Sequence, residues 1–481
     1  MKKVILVLIV SLFVVGVYSQ DSAQNENKEW KPSQSRHTNF DIGKYITPDI
    51  VRNRLDIDLY LNSSYLRSDN SSDSHNDLFK TSDFTGNIQS DFSRYVNTRK
   101  RISHLAGRLS FAQDHNSETY ERTFTNDSPT IINNMSKSFQ RNSLNLGWLN
   151  KWYFSESIFM DYGASSNVAY SFTRDKTKNQ SEDSNEKRNI FSFNFSPKIG
   201  IGYGRIENVE DARQAIYIAD ALSKRNVLTR NLSNEELLAL SQKISTVKNK
   251  RFLDSRLHLM DEIAAVDSFF VKNNLLADNG ASYFTTLYDM WHHGALFSRR
   301  SGYEVSFVVR PYYFHQNSET THVTQKNIWN VSELAAYLNF NYEKPFKLNW
   351  QHSVDARAIG SIHSQRSEQT GNDEYTDRTD GKIFTAFASY YLGYYPNTRT
   401  NIQVGALQRV SRNIIDEQGR FTNYDTILSA KLYYYFSPHF RLAGDCGLRY
   451  APSRYKWDSG GSSGRNIFSS LFNVSLTYHI F

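Results

Sequence analysis

Along most of the chain, apolar and polar residues alternate one for one. The pattern opens at Leu55-Asp56-Ile57-Asp58-Leu59-Tyr60-Leu61-Asn62, where every second position is apolar. Successive side chains of a strand point to opposite faces, so a period of two describes a ribbon with one apolar and one polar face. The pattern recurs near 82–97 (Phe84, Ile88, Phe92), 102–113 (Leu105, Leu109, Phe111), 138–149 (Leu144, Leu146, Trp148), 152–173 and 189–204 (Phe191, Phe193, Phe195, Ile199, Ile201, Tyr203). It resumes at 302–314 (Tyr303, Val305, Phe307, Val309) and 331–343 (Leu334, Ala336, Leu338, Phe340, Tyr342), then at 347–363, 383–395, 401–412, 426–437, 440–452 and 467–481. The spacing predicts about fourteen strands, within a range of about twelve to sixteen.

Between Tyr203 and Arg300 the period lengthens. Ala212, Ala215, Ile216, Ala219 and Leu222 recur at helical spacing, and Ser233-Asn234-Glu235-Glu236 has the form of a capping box. A third helix is expected through Leu253, Leu257, Met260 and Ala264 to Phe269 and Phe270, and a short fourth through Tyr283, Phe284, Leu287 and Trp291. About four helices over some ninety residues make a small all-α unit.

The connections decide between architectures. Those at 97–101, 149–152, 343–347, 396–400 and 437–440 are short, whereas those at 66–82, 114–137, 174–188, 315–329, 365–382, 413–425 and 453–466 are long and polar. Strict alternation of short and long has no cause in a soluble sandwich. It is the pattern of an outer-membrane barrel, with short periplasmic turns, long outer loops and an even strand number. The expected fold is therefore an all-β transmembrane antiparallel β-barrel with a small all-α insert. Six strands precede the insert, so it is expected on the periplasmic side. Aromatic clusters at strand ends, such as Trp148 with Trp152-Tyr153-Phe154, Tyr394-Tyr395 and Tyr433-Tyr434-Tyr435-Phe436, match the girdles that hold a barrel at headgroup depth.

Composition narrows the classes further. The chain has 31 Phe and 30 Tyr against 9 Pro, a mixture that pleated, half-buried surfaces favour. A single cysteine, Cys446, rules out an internal disulfide. The net charge of +7 comes from basic residues scattered among 49 acidic ones rather than from a run, so mixed solvated loops explain it and no nucleic acid is implied. Residues 1–19 read as a secretory signal: Met1-Lys2-Lys3, an apolar stretch from Val4 to Val17, and small residues at Val17 and Ser19 ahead of cleavage. The predicted organisation is then 1–19 signal peptide, 20–50 a polar periplasmic segment or plug, 51–204 strands one to six, 205–299 the helical insert, and 300–481 strands seven to fourteen. The last strand carries Phe472, Val474, Leu476, Tyr478 and Ile480 on one face, with Phe481 on the opposite parity.

Taken together, these residues, with Val209-Glu210-Asp211-Ala212-Arg213-Gln214-Ala215 and Lys250-Arg251-Phe252-Leu253-Asp254-Ser255-Arg256-Leu257, resemble uncharacterised Gram-negative outer-membrane barrel proteins, porin-like, that carry a periplasmic helical insert. The resemblance implies the cell outer membrane, contact with its lipid and lipopolysaccharide, and recognition of the C-terminal strand by the barrel assembly machinery. It implies no substrate.

Parity selects lumen-facing candidates: Asp56, Asp58, Asp91, Arg108, Glu304, Arg310, Asp355, Arg357, Lys431 and Arg449. Both signs occur, as a wetted wall or a closed interior would need. Two function classes follow: a channel or transporter for small solutes, and a membrane-anchored interaction or scaffold protein whose insert docks a periplasmic partner. No enzyme is expected, because His104, His352, His363 and the pair Asp355 and Arg357 stand in no catalytic motif. No cofactor or metal is expected either. Adjacent His292 and His293 diverge by about 100° on a helix, unlike the i, i+4 pair of a zinc helix.

Overall fold

The computed structural model describes residues 40–125, 129–179, 183–249, 258–293, 298–321, 325–371, 374–397, 399–416, 418–437 and 440–478. The expected signal peptide, most of the 20–50 segment and Phe481 lie outside them.

Six strands come first: β1 Ile50–Ser71, β2 His75–Asn97, β3 Arg101–Phe124, β4 Ile131–Tyr153, β5 Ile158–Lys178 and β6 Asp183–Asn208. Four helices follow, α1 Glu210–Lys224, α2 Asn234–Asn249, α3 Leu259–Lys272 and α4 Ala281–His293. Eight strands complete the chain: β7 Arg300–Thr320, β8 Gln325–Phe346, β9 Trp350–Thr370, β10 Tyr375–Tyr394, β11 Thr400–Ile415, β12 Gly419–Ser437, β13 Phe440–Trp457 and β14 Ser462–Tyr478. All fourteen strands pair antiparallel with their chain neighbours in one sheet, including β6 with β7 across the insert. The fold is thus an antiparallel up-and-down β-barrel with an all-α insert, and it has the fourteen strands that the alternation predicts.

The sheet curls strongly. Arg205 of β6 donates to Asn97 Oδ1 at 2.8 Å and to the Thr98 carbonyl at 3.0 Å, at the far end of β2. In a flat sheet β2 and β6 would stand about 19 Å apart, so these contacts require the intervening strands to bow outward. Apolar residues dominate the convex face, where Ile57 is 71% exposed and Phe384 61%, and polar residues dominate the concave one. A sheet with its apolar side outward is built for a lipid solvent.

The long polar connections are a correction to the expected picture. Most of their residues continue the strands, leaving tight turns such as 72–74 and 458–461. Strands run from 16 to 26 residues, whereas about ten tilted residues cross a bilayer. In these extensions both faces meet water, so the apolar alternation stops while the backbone ladder continues. The wall therefore projects well beyond its apolar band at the end away from the insert.

The main buried core lies in the helices. Ala212, Ala215, Ile216, Ile218 and Leu222 of α1 meet Leu237, Leu240 and Ile244 of α2, Ile263, Val266 and Phe270 of α3, and Leu287 and Trp291 of α4. The core face of α3 is not the expected one: Met260 is 59% exposed, and Leu253 and Leu257 lie outside the described residues. Two boundaries also move. β6 reaches Asn208, so the insert begins near 209 rather than 205, and Ile42 and Tyr45 belong to the helical core rather than to a free segment. Gly204 and Gly302, at the feet of β6 and β7, have φ of +101° and +122°, and a Cβ there would meet a facing carbonyl oxygen at 2.1 and 2.0 Å. Glycine is required where the two strands bend together to release the insert.

Candidate functional site

The concave face is predominantly polar, with a few apolar and aromatic side chains such as Phe314 and Phe387 among the polar ones. From Asp56 a row runs straight across the ladders to Asp91, Arg108, Asn145, Asn167 and Asn194. With Arg54, Asp58 and His104 these residues line a cleft of about 810 Å³. The row is internally bonded. Arg54 Nε lies 2.5 Å from Asp56 Oδ2, Arg108 Nε 2.6 Å from Asp91 Oδ1, and Gln89 Nε2 2.6 Å from Asp91 Oδ2. Asn167 Nδ2 donates to Asn145 Oδ1 at 2.5 Å. Asp56 is matched by a guanidinium of its own strand and Asp91 by one of the next strand, so this sector carries charge pairs rather than a field of one sign.

The remaining parity-selected residues occupy the same face in other sectors. Asp355 stands between Asn341 and Ser389, and Arg357 between Asn339 and Phe387. The Arg357 guanidinium lies 5.4 Å from the Phe387 ring centre, and that of Arg310 4.8 Å from Tyr337. Neither arginine has an ion-pair partner among the described residues. Lys431 stands between Gln403 and Asp445, and Arg449 bonds both oxygens of Asp425 at 2.7 and 3.1 Å. Glu304 lies nearer the insert, where Lys151 of β4 bonds it past the two strands between them.

Parity missed a belt of ion pairs at that end. Lys198 Nζ sits 2.6 Å from Asp161 Oδ1, Arg205 and Arg99 share Glu207, and Arg300 lies 2.5 Å from Glu343. These residues sit at strand feet, where girdle aromatics and turns break the alternation. Tyr153 and Phe159 are buried among them, 4% and 0% exposed, and the Arg205 guanidinium lies 4.8 Å from the Tyr153 ring centre.

The helical unit lies across this end of the wall. It is tethered to β6 and β7, yet Asn249 of α2 accepts from Arg52 of β1 at 3.1 Å. β1 is six strands away from β7 in the sheet. The strap from 40 to 49 makes the same crossing: Thr47 Oγ1 donates to the Asn208 carbonyl at 3.2 Å, while Tyr45 Oη lies 2.5 Å from Ser245 Oγ and 3.4 Å from the Ser241 carbonyl oxygen. On the other side, Arg299 donates to the carbonyls of Leu348 and Trp350 at 2.6 Å and to Gln351 Oε1 at 3.0 Å. Two guanidiniums approach the Tyr395 ring, Arg299 at 4.9 Å and Arg213 at 5.6 Å from its centre. Burial, with the neighbouring charge of Arg213, pulls the Arg299 pKa down to about 10, and burial also lowers that of Arg213. The ring face and the carbonyls hold these buried cations in place. No periodicity could have identified this cluster, because its members come from a helix, a strand foot and a turn.

The histidines are dispersed. His352 lies on the convex face, 4.4 Å from Phe346 in a stack and 2.8 Å from Tyr390 Oη, a girdle position. His363 is on the concave face opposite Glu333 and Gly381, and His104 lines the cleft. His292 stacks on Tyr288 at 6.2 Å. Among the described residues no three His, Cys, Asp or Glu side chains are grouped to hold a metal.

No family model matches the chain, and no curated protein is similar to it. Among solved structures, the transport unit of the autotransporter AIDA-I from Escherichia coli aligns at 8% identity with a TM-score of 0.14, over 94% of this chain and all of that one. The siderophore receptor PirA from Acinetobacter baumannii aligns at 7% identity with a TM-score of 0.19, over 91% of this chain and 75% of that one.

Proposed function

We propose that this chain is an outer-membrane barrel that passes small polar solutes along its wall, with the helical unit seated over the periplasmic mouth. The observation that carries the reading is the polar face itself, which extends through every strand as acid, amide, hydroxyl and guanidinium groups. In a wall sealed against water such groups would need a partner at every atom, whereas in a wetted bore water satisfies them. On this reading the convex apolar band contacts lipid and lipopolysaccharide, and the C-terminal strand is read during assembly. No cofactor enters the reading, and no residue is given a catalytic role.

A planar bilayer tests it. The purified protein is expected to give discrete conductance steps. Arg310→Ala with Arg357→Ala should move the reversal potential in a salt gradient toward cation preference, because these two guanidiniums rest on aromatic rings and no carboxylate among the described residues pairs with them. A folded protein with no steps would remove the channel reading. The scaffold reading would then take its place, supported by Met260, Val271, Phe284 and Tyr288, which stand exposed on α3 and α4.

A further inference from the structure

β1 and β14 each have one edge without a ladder, and no hydrogen-bonded pairing joins them among the described residues. A bare strand edge cannot stand in hydrocarbon, because nothing there bonds its backbone N–H and C=O groups. We propose that β14 closes onto β1 with Tyr478 opposite Val51, completing a barrel whose shear number is 14.

The thirteen existing ladders set this register. The row that leaves Val51 passes directly across each pair of strands, through Asn150, Val309 and Phe384, and arrives at Gly464 of β14. Tyr478 is 14 residues beyond Gly464, at the foot of β14 and level with the insert end where β1 begins. Placing the two feet side by side therefore converts the accumulated stagger into the shear. Fourteen residues of stagger across fourteen strands give a tilt of about 35°, within the range at which barrels close, and a backbone radius of about 13 Å.

Face and chemistry narrow the choice. Asp56 and Asn473 are both on the concave face, so only pairings of odd β1 residues with even β14 residues keep apolar groups outward, and the register can slip only by two. Tyr478 opposite Val51 brings Val474 to Leu55, Phe472 to Ile57 and Phe468 to Leu61, four apolar pairs in all, and among the described residues a slip of two in either direction leaves three. All of these side chains are more than half exposed as they stand. On the inner face the same register sets Asn473 opposite Asp56, whose buried Oδ1 has no hydrogen-bond partner among the described residues. The amide of Asn473 already gives one N–H to Asp445 at 3.2 Å and has a second to offer.

Cysteine pairs in the full-length protein carrying Cys446→Ser test the register. Tyr60→Cys with Ser469→Cys are directly opposite across the proposed seam, whereas Asp58→Cys or Asn62→Cys with Ser469→Cys are each displaced by two residues. Direct neighbours lie within disulfide reach and displaced ones beyond it. In outer membranes under mild oxidation, the Tyr60–Ser469 positions should cross-link within one chain several-fold more than either displaced pair, with heat-modifiable migration confirming a folded barrel. Preferential cross-linking of a displaced pair would overturn the register. Cross-linked dimers would show that a second copy covers the edge instead. A folded protein with no cross-link at any pair would show that the two edges do not meet.

Discussion

Tyr45 illustrates how much a single side chain contributes here. It is 1% exposed, its ring belongs to the helical core, and its hydroxyl bonds Ser245, which in turn donates to Asp211 of α1. Burial, more than any neighbouring charge, raises its pKa far above the usual tyrosine range, so the phenol stays neutral. Tyr45→Phe should destabilise the helical unit by about 1 kcal/mol, the net worth of a buried hydrogen bond. Tyr45→Ala should cost about 3–5 kcal/mol through the cavity it leaves. Hydrogen exchange of α1 and α2 amides in the detergent-solubilised full-length protein measures both. Equal, negligible effects would mean that the strap does not hold the unit in place. The same contacts change the expectation for a plug: Ile42 and Tyr45 are part of the cap, so a deletion that reaches them removes cap packing as well as any upstream segment.

The helices give a pH test at the scale of one element. At the start of α2 the Ser233 amide donates to Glu236 Oε2 at 2.8 Å, the Glu236 amide donates to Ser233 Oγ at 3.3 Å, and Arg230 bonds both Glu236 oxygens at 2.7 Å. The Arg230 hydrogen bonds, then the capped backbone amide, hold the Glu236 carboxyl below the usual glutamate range. A depressed carboxylate stabilises the fold above its unfolded pKa of about 4.3 and loses that contribution as pH falls through the lower folded value. Protection of the α2 amides, taken against their intrinsic exchange rates at each pH, should therefore fall below about pH 4.3, and Glu236→Gln should flatten this dependence. An unchanged profile in the variant would assign the acid sensitivity to another carboxylate. The strands teach a different lesson. Their apolar halves were legible as period two, but their outer halves were not, because Ser, Asn, Asp and Lys on both faces carry no alternation even where the ladder continues.

At the scale of the whole molecule, sidedness follows from the contrast between the two ends. One end carries the helical unit, the ion-pair belt and turns such as 98–100, while the other projects polar ribbon beyond the apolar band. In a Cys446→Ser background, an impermeant maleimide on intact cells should label Thr370→Cys and leave Asn397→Cys unlabelled. The reverse pattern would invert the topology and place the insert outside. Strand number, antiparallel order, the polarity of the two faces and the presence of a helical unit were all written in the sequence, because each depends on local periodicity and on neighbours joined by short turns. Tertiary structure alone decided that the insert reaches back from β7 to β1, that residues 42–45 complete its core, and that Arg213 and Arg299 meet over one tyrosine. Those contacts join positions as much as 200 residues apart, and their geometry follows from the curl of the sheet. That curl is set by register summed over many ladders, a quantity no short window of residues contains.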